Sequence, residues 1–182
     1  MLAYIFWHAP GPATEQTAYE ADLAGFHELL RQQTLAGFHG SLCLRIDGAP
    51  WVPANPGYED WYLVEGSAVL DPLNELAVSS ELKAAHDRPA LAAGFGAGGL
   101  YRLLSGRVDQ PAAWATWLRK PAGMAYADFY REITPWTSGP DVSMWRRQMV
   151  LGPSPEFCIV GPEPVRAPAQ MQPVQVRRDQ IV

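Results

Sequence analysis

The stretch from Gly37 to Gly66 constrains this chain more than any other, because a reduced copy of it returns in the second half. It reads Gly-Phe-His-Gly-Ser-Leu-Cys-Leu-Arg-Ile, then a Gly- and Pro-rich connection holding Trp51, then Tyr-Glu-Asp-Trp-Tyr-Leu-Val-Glu-Gly. Strand-type residues flank Asp47-Gly48 and Pro53 to Gly57. That pattern predicts a β-hairpin with a long loop and strands over about 38–46 and 58–65.

The elements around it follow from periodicity and caps. Leu2 to His8 is a strand closed by Ala9-Pro10-Gly11-Pro12. Thr14 or Thr17 is expected to cap a helix whose Tyr19, Leu23, Phe26 and Leu30 form one apolar stripe ending near Gln33. After the hairpin, Asp71-Pro72 opens a helical segment through Leu73, Leu76 and Ala77. It is expected to break near Ser79-Ser80 and again at Pro89, and to stop at Gly94. Gly96 to Gly99 reads as a flexible turn into a strand at Leu100–Leu104. The order is β-α-β-β-α-β, the ferredoxin-like arrangement.

The second half begins again. Trp114 to Arg119 is a strand, and Tyr126, Phe129, Tyr130 and Ile133 give a helical stripe. Val142 to Val150 and Phe157 to Val160 are strands, Pro-rich coil replaces the second helix, and a last strand is expected near Val174 to Arg178. Local matches occur in the same order: Ala18-Tyr19 with Ala125-Tyr126, Ser41-Leu42-x-x-Arg45 with Ser143-Met144-x-x-Arg147, and Leu63-Val64 before Gly66 with Ile159-Val160 before Gly161. The expected class is therefore α+β: two ferredoxin-like βαββαβ repeats in one chain, the second incomplete. Their antiparallel sheets form a barrel-like sandwich with helices outside. The units are 1–107 and 108–182, packed as one globular domain.

This pattern resembles the dimeric α/β-barrel superfamily, in which two ferredoxin-like units put their sheets face to face. The resemblance covers nearly the whole chain as an order of elements and carries no diagnostic motif. It implies a cavity between the sheets. Members include cofactor-free monooxygenases of aromatic polyketides and quinols, haem-binding enzymes, isomerases and proteins without known activity, so the shared fold does not carry a reaction across.

Strand parity sorts the candidate residues. On the second strand Leu42, Leu44 and Ile46 are read as the helix-covered face, leaving Ser41, Cys43 and Arg45 for the cavity. Aligning the repeats through Ala9-Pro10 and Lys120-Pro121 pairs Tyr4, Phe6 and His8 with Ala115, Trp117 and Arg119. It also pairs Ser41, Cys43 and Arg45 with Ser143, Trp145 and Arg147. The expected ligand-binding set is Tyr4, Phe6, Arg45, Tyr62, Trp117, Arg119, Trp145 and Arg147, an aromatic lining with cationic points that suits a flat, partly anionic molecule. His8 is the candidate acid–base residue, because imidazole titrates near neutrality; a strand-end histidine more often makes a structural hydrogen bond. Tyr58-Glu-Asp-Trp-Tyr62 is a second aromatic cluster, with Trp61 on one face and Asp60 and Tyr62 on the other.

Other signals narrow the field. His27, beside Phe26 on the first helix, is expected as an exposed or boundary residue, His39 at a strand start, and His86-Asp87 as helix neighbours that do not face each other. Four dispersed histidines without metal-type spacing argue against a dedicated metal site, and no cofactor is expected. The Gly94 to Gly99 run follows a helix and precedes a strand, the reverse of a phosphate-cradling order. There is no Gly-x-Ser-x-Gly elbow and no Cys/His nucleophile pair. A net charge of −5 without basic runs argues against nucleic-acid binding. Cys43 and Cys158 read as reduced thiols, and the first residues carry no signal-peptide pattern and the chain no membrane span, so a cytoplasmic protein is expected.

Three readings remain open: an enzyme for a small aromatic compound, acting as a cofactor-free monooxygenase or isomerase; a non-catalytic or stress-associated binder of such a molecule; and a closed structural or interaction scaffold whose aromatics fill the interior. A small-molecule ligand is the expected partner, with monomer and homodimer both open.

Overall fold

The computed structural model describes residues 1–108, 112–148 and 152–182. Eight strands and four helices are formed by these residues. They run β1 (Leu2–Pro10), α1 (Gln16–Arg31), β2 (Phe38–Asp47), β3 (Gly57–Val64), α2 (Leu70–Ala77), α3 (Lys83–Ala92), β4 (Ala93–Ser105), β5 (Trp114–Leu118), α4 (Tyr126–Thr137), β6 (Ser143–Arg147), β7 (Phe157–Gly161) and β8 (Val174–Gln180). The strands close into one barrel in the order β1-β3-β2-β8-β5-β7-β6-β4, with every neighbouring pair antiparallel. The first four strands occupy one arc, ordered β4-β1-β3-β2, and the last four the other, ordered β8-β5-β7-β6. Pairs β2–β8 and β4–β6 join the arcs. Closure pairs each strand on both sides over at least part of its length.

Alternation decides which side chains meet. On β1, Ala3, Ile5, Trp7 and Ala9 enter the barrel core, while Leu2 and Tyr4 join the cluster under the helices. On β3, Trp61 and Leu63 point inward, and Tyr58 packs outside with Tyr19 and Leu23 of α1. The strand register carries this to β2: Cys43 lies opposite Asp60, and Leu44 opposite Glu59. Leu44 and Ile46 therefore fill the barrel with Leu42 against them, whereas Cys43 faces α1. The expected parity of β2 is reversed.

The alignment of the two halves is corrected by the same logic. Trp7 lies opposite Glu59 and Trp117 opposite Cys158, and both tryptophans are inside the barrel. Trp117 therefore occupies the place of Trp7, not of Phe6. The Ala9-Pro10 anchor sets Phe6 against Trp117, one residue away from the pairing that the buried faces of β1 and β5 require. A slip of one residue moves every side chain to the other face.

The interior between the two arcs is filled with large side chains. Trp7, Trp61, Trp117, Trp145 and Tyr101 are all 0–1% exposed. Their rings meet edge to face, with centroids 5.6 Å apart for Trp7–Trp117, 5.3 Å for Tyr101–Trp117 and 5.2 Å for Trp61–Trp145. Trp51, from the β2–β3 loop, packs edge-on against Trp7 and Trp117. One ion pair is enclosed with them. Arg178 Nε donates to Glu59 Oε1 at 2.7 Å, Trp7 Nε1 donates to Glu59 Oε2 at 3.2 Å, and the guanidinium sits 4.9 Å over the Trp61 ring. Each buried charge thus has a partner, without which burial would be prohibitive.

Several local expectations are also corrected. Glu15, not a threonine, caps α1: its carboxylate accepts from Thr17 N at 3.1 Å and Ala18 N at 2.8 Å. The helix of residues 70–94 divides between α2 and α3 near Ser79-Ser80, but Pro89 lies inside α3 without ending it. Gly94 to Gly99 belongs to β4 and is not a turn. The close of the expected Val142–Val150 strand falls at residues 149–151, outside the described residues, and β6 spans Ser143–Arg147. Between β7 and β8 there is coil with one short 3-10 turn at Ala169–Met171, as the proline pattern implies, and β8 completes the barrel.

Candidate functional site

The outer face of β1, β3 and β2 forms a small grid. Tyr4 stands opposite Tyr62, Phe6 opposite Asp60 and His8 opposite Tyr58. Tyr62, Asp60 and Tyr58 in turn face Ser41, Cys43 and Arg45. Helix α1 covers it with Tyr19, Leu23, Phe26, His27 and Leu30, all buried. His27 was expected to be exposed or at the margin of the buried face. It is fully buried instead, because it falls four residues after Leu23 and eight after Tyr19, inside the stripe.

Asp60 is the centre of this grid. His8 Nε2 and His27 Nε2 each lie 3.3 Å from its Oδ1, at ion-pair distance but off the line of a hydrogen bond. The Tyr62 hydroxyl donates to Oδ2 at 3.2 Å. The other nitrogen of each imidazole is held by a hydroxyl: His8 Nδ1 and Tyr19 OH are 2.7 Å apart, as are His27 Nδ1 and Ser41 Oγ. Stacking fixes the ring planes. His8 lies between Phe6 and Tyr58, each 5.5 Å away and within 19° of parallel, and His27 stacks on Tyr62 at 5.6 Å.

Burial alone would raise the Asp60 carboxyl. The imidazoles of His8 and His27 override it and hold the carboxyl well below the usual carboxylate range. The fixed negative charge acts on its neighbours. Burial first, and then the Asp60 charge, push the Tyr4, Tyr19 and Tyr62 phenols up, and the Cys43 thiol likewise. The phenols therefore stay protonated as donors. The cluster offers a carboxylate and two imidazole nitrogens with few partners of their own.

A pocket of about 770 Å³ opens onto this cluster, between the outer face of the first arc and α1, α2 and α3. Tyr4, Phe6, Phe26 and Tyr62 are its aromatic walls, Leu70, Leu73, Ala77 and Pro89 come from α2 and α3, and His8 and Asp60 are polar points. Gly94 and Gly96 of β4 line it, and Gly98 lies behind the Tyr4 wall. A Cβ on Gly98 would stand 2.6 Å from the Tyr4 hydroxyl, and one on Gly96 2.7 Å from Phe6 Cζ. Bare backbone there lets both rings lie flat across β4.

The residues expected to bind ligand are thus divided. The structure brings His8, Tyr4, Phe6 and Tyr62 together on the pocket, under the helices and not between the sheets. Trp117 and Trp145 are barrel core. Arg45 Nη1 donates to Glu20 Oε1 at 3.3 Å, and Tyr58 OH donates to the same oxygen at 3.0 Å. Arg147 Nη1 donates to the carbonyls of Gly152 and Ser154, and Arg119 is exposed. No arginine or lysine lines the pocket among the described residues. His86 does line it and, against expectation, reaches its neighbour: Nδ1 is 3.2 Å from Asp87 Oδ1, and Lys83 pairs with the same carboxylate. His39 is exposed.

Asp60, His27, Tyr19 and Cys43 are the cluster members that sequence reading did not select. The alternation Tyr58-x-Asp60-x-Tyr62 was the available sign, since it puts a carboxylate in the middle of an aromatic face. For metal ligation, the ligand atoms of His27, Cys43 and Asp60 lie within 4.8 Å of one another, and all three residues are buried. Cys43 and Cys158 are free thiols. Among the described residues no helix is long and apolar enough to cross a membrane.

No protein-family model matches the chain, and no curated protein matches it. Two solved structures are similar in architecture. A chlorite dismutase-like protein is 12% identical over 100% of this chain and 96% of its own, with a TM-score of 0.49. An anthrone oxidase-like protein is 10% identical over 97% of this chain and 72% of its own, with a TM-score of 0.50. At 10% identity the likeness to the anthrone oxidase-like protein concerns the backbone path alone.

Proposed function

We propose that this protein binds a small, flat, neutral aromatic molecule bearing a hydroxyl group, of phenol or quinol type, in the pocket above Asp60, and acts on it as a monooxygenase or isomerase. The observation that carries the reading is the pocket itself: about 770 Å³, walled by Tyr4, Phe6, Phe26 and Tyr62 and ending at the buried His8–Asp60 pair. That combination of apolar walls and few convergent polar groups is typical of small-molecule sites. A carboxylate ligand would meet Asp60 without a cation to offset it, so a neutral hydroxyl is the better fit. In this reading the Asp60 carboxylate accepts the ligand's hydroxyl hydrogen, the His8 imidazole beside it positions that carboxylate, and the aromatic walls orient the ring.

The test is a thermal-shift and fluorescence titration with flat phenols and quinols, alongside aromatic acids of the same size. Phenols are expected to bind better than the acids, and His8→Ala to weaken them about tenfold, the worth of one hydrogen bond to a charged network. Indifference of binding to Phe6→Ala and His8→Ala, or a preference for acids, overturns the reading. Incubation of bound phenols under air, with product analysis, separates turnover from non-catalytic storage. The second reading, storage, is favoured by the depth of the polar end: His8 and Asp60 are only 1% and 5% exposed.

We also infer that the chain consists of two ferredoxin-like units, 1–107 and 108–182, related by duplication, the second without its second helix. The equivalent strand orders of the two arcs support this. Because both arcs belong to one chain, the barrel closes without a second copy, and light scattering is expected to report a monomer. A stable dimer at micromolar concentration counts against it.

A further inference from the structure

We propose that His27 Nε2, a carboxylate oxygen of Asp60 and Cys43 Sγ form a binding site for one borderline divalent cation, zinc or ferrous iron, at the inner end of the pocket. Three elements deliver the three groups: α1 brings His27, β3 Asp60 and β2 Cys43. Asp60 and Cys43 are direct partners across the β2–β3 ladder, so the sheet itself sets their relation. His27 comes down onto them from the buried face of α1. Their ligand atoms lie within 4.8 Å of one another. Zinc holds nitrogen, oxygen and sulfur donors at about 2.0–2.3 Å, which places neighbouring donors roughly 3–4 Å apart, so small side-chain adjustments complete the shell.

A second observation is independent of that proximity. His27 Nε2 and Asp60 Oδ1 are buried and face each other at ion-pair distance, 3.3 Å, without an aligned hydrogen bond to either. The opposite atom of each group is tied: His27 Nδ1 to Ser41 Oγ at 2.7 Å, and Asp60 Oδ2 to the Tyr62 hydroxyl at 3.2 Å. Outer partners fix the two groups, and a cation bound between them takes the place of the imidazole proton that His27 Nε2 presents to Asp60. Metal ligands are oriented in this way, with the far nitrogen of the imidazole engaged by an oxygen. His8 stands beside them on the pocket, its own unpartnered Nε2 3.3 Å from Asp60 Oδ1.

The donor types select the ion. One sulfur, one imidazole and one carboxylate suit zinc or ferrous iron, whereas magnesium and calcium require oxygen shells. Three protein donors leave one position of a tetrahedron open. Asp60 and His8 line the pocket and His27 and Cys43 do not, so the open position lies on the pocket side. The site goes beyond the ligand proposed above and rests on that pocket only for its open position.

The experiment titrates the full chain, stripped with a chelator, with cobalt and then zinc. One equivalent of cobalt is expected, with visible bands of a tetrahedral ion and a near-ultraviolet thiolate-to-cobalt band, all displaced by zinc. Cys43→Ser removes the thiolate band, and Asp60→Asn weakens cobalt binding by at least about tenfold. His39→Ala, at an exposed position, changes neither. Circular dichroism checks the fold of each variant. Should Cys43→Ser fail to fold, Cys158→Ser assigns the band, since the chain has only these two cysteines. Uptake well below one equivalent, absence of the thiolate band, or its survival in folded Cys43→Ser overturns the site. The phenol titration is repeated on the stripped chain. Phenol binding without cobalt uptake sinks the cation site alone, and cobalt uptake without phenol binding sinks the pocket reading alone.

Discussion

The two arcs of the barrel are covered on the outside in opposite ways. On the first, the central row reads Phe6, Asp60, Cys43; on the second, the corresponding row reads Thr116, Ile159, Met144. His27 and Tyr19 of α1 meet the first row with polar atoms, whereas α4 meets the second with Phe129 and Ile133. Two helices stand off the first face and leave a pocket. On the second, Met171, Val165 and Ala167 of the coil before β8 pack directly onto the cluster of Leu118, Phe157 and Phe129, and Thr116 Oγ1 accepts from Val165 N at 3.0 Å. One backbone plan therefore supports a wet, polar-centred face and a dry one. Helix α1 alone does not make a site; what matters is the covering laid beside it and a carboxylate in the central row.

Truncating the dry face has the largest expected effect. Phe129→Ala removes a fully buried ring 4.5 Å from Phe157 and is expected to cost about 3–5 kcal/mol in urea unfolding. Phe6→Ala, whose ring borders the pocket, is expected to cost about 1–2 kcal/mol, because part of its surface is not packed. Equal losses would mean the first face is as tightly filled as the second.

Next comes the central position of each row. Asp60→Asn takes the charge from beside two buried imidazoles and is expected to destabilise the chain by about 3 kcal/mol. Ile159→Val, its counterpart, removes one methyl group for about 1 kcal/mol. A near-neutral Asp60→Asn would show that the histidines do not depend on the carboxylate.

Gly98→Ala sharpens the comparison behind Tyr4, one of the pocket walls. Its new Cβ, 2.6 Å from the Tyr4 hydroxyl, displaces the end of a side chain and not backbone. The melting temperature is expected to change little, while phenol affinity falls about tenfold. Unchanged affinity separates the Tyr4 wall from the ligand.

The smallest effects belong to the helix caps. Ala125 precedes α4 with extended backbone and no capping side chain, so Ala125→Asp is expected to add about 0.5–1 kcal/mol. Glu15 already caps α1. Its carboxyl is held below the ordinary range, first by the Thr17 hydroxyl and then by backbone N–H groups. A depressed folded-state pKa stabilises above the unfolded value and is lost as pH falls through the folded one. Glu15→Ala should therefore lower the melting temperature slightly at neutral pH and not in strong acid. A penalty that persists in acid would show that the cap does not act through charge.

Much of the architecture was legible before any coordinates. The α1 stripe, the long hairpin, the α4 stripe and the final strand each carry a local signal of period or punctuation. Four pocket residues, Tyr4, Phe6, His8 and Tyr62, were also named from their strands. The face on which they act was not legible. Leu42, Leu44 and Ile46 look the same whether they meet helices or the inside of a barrel, since both are apolar. Gly94 to Gly99 shows a comparable limit. Locally it is turn-like, and it is a strand because β1 pairs along it and the Tyr4 and Phe6 rings need its missing side chains.

The sequence by itself determined the elements, their order and the alternation of each strand, because these depend on neighbours within a few residues. Only the tertiary structure decided the sign of that alternation. It is set by register between strands far apart in the chain, which puts Asp60 opposite Cys43 and sends the tryptophans inward. The site is a product of that choice. His8, His27, Asp60 and Cys43 are scattered over β1, α1, β3 and β2, and they converge only because two cross-strand ladders and one helix face stack them at a single point.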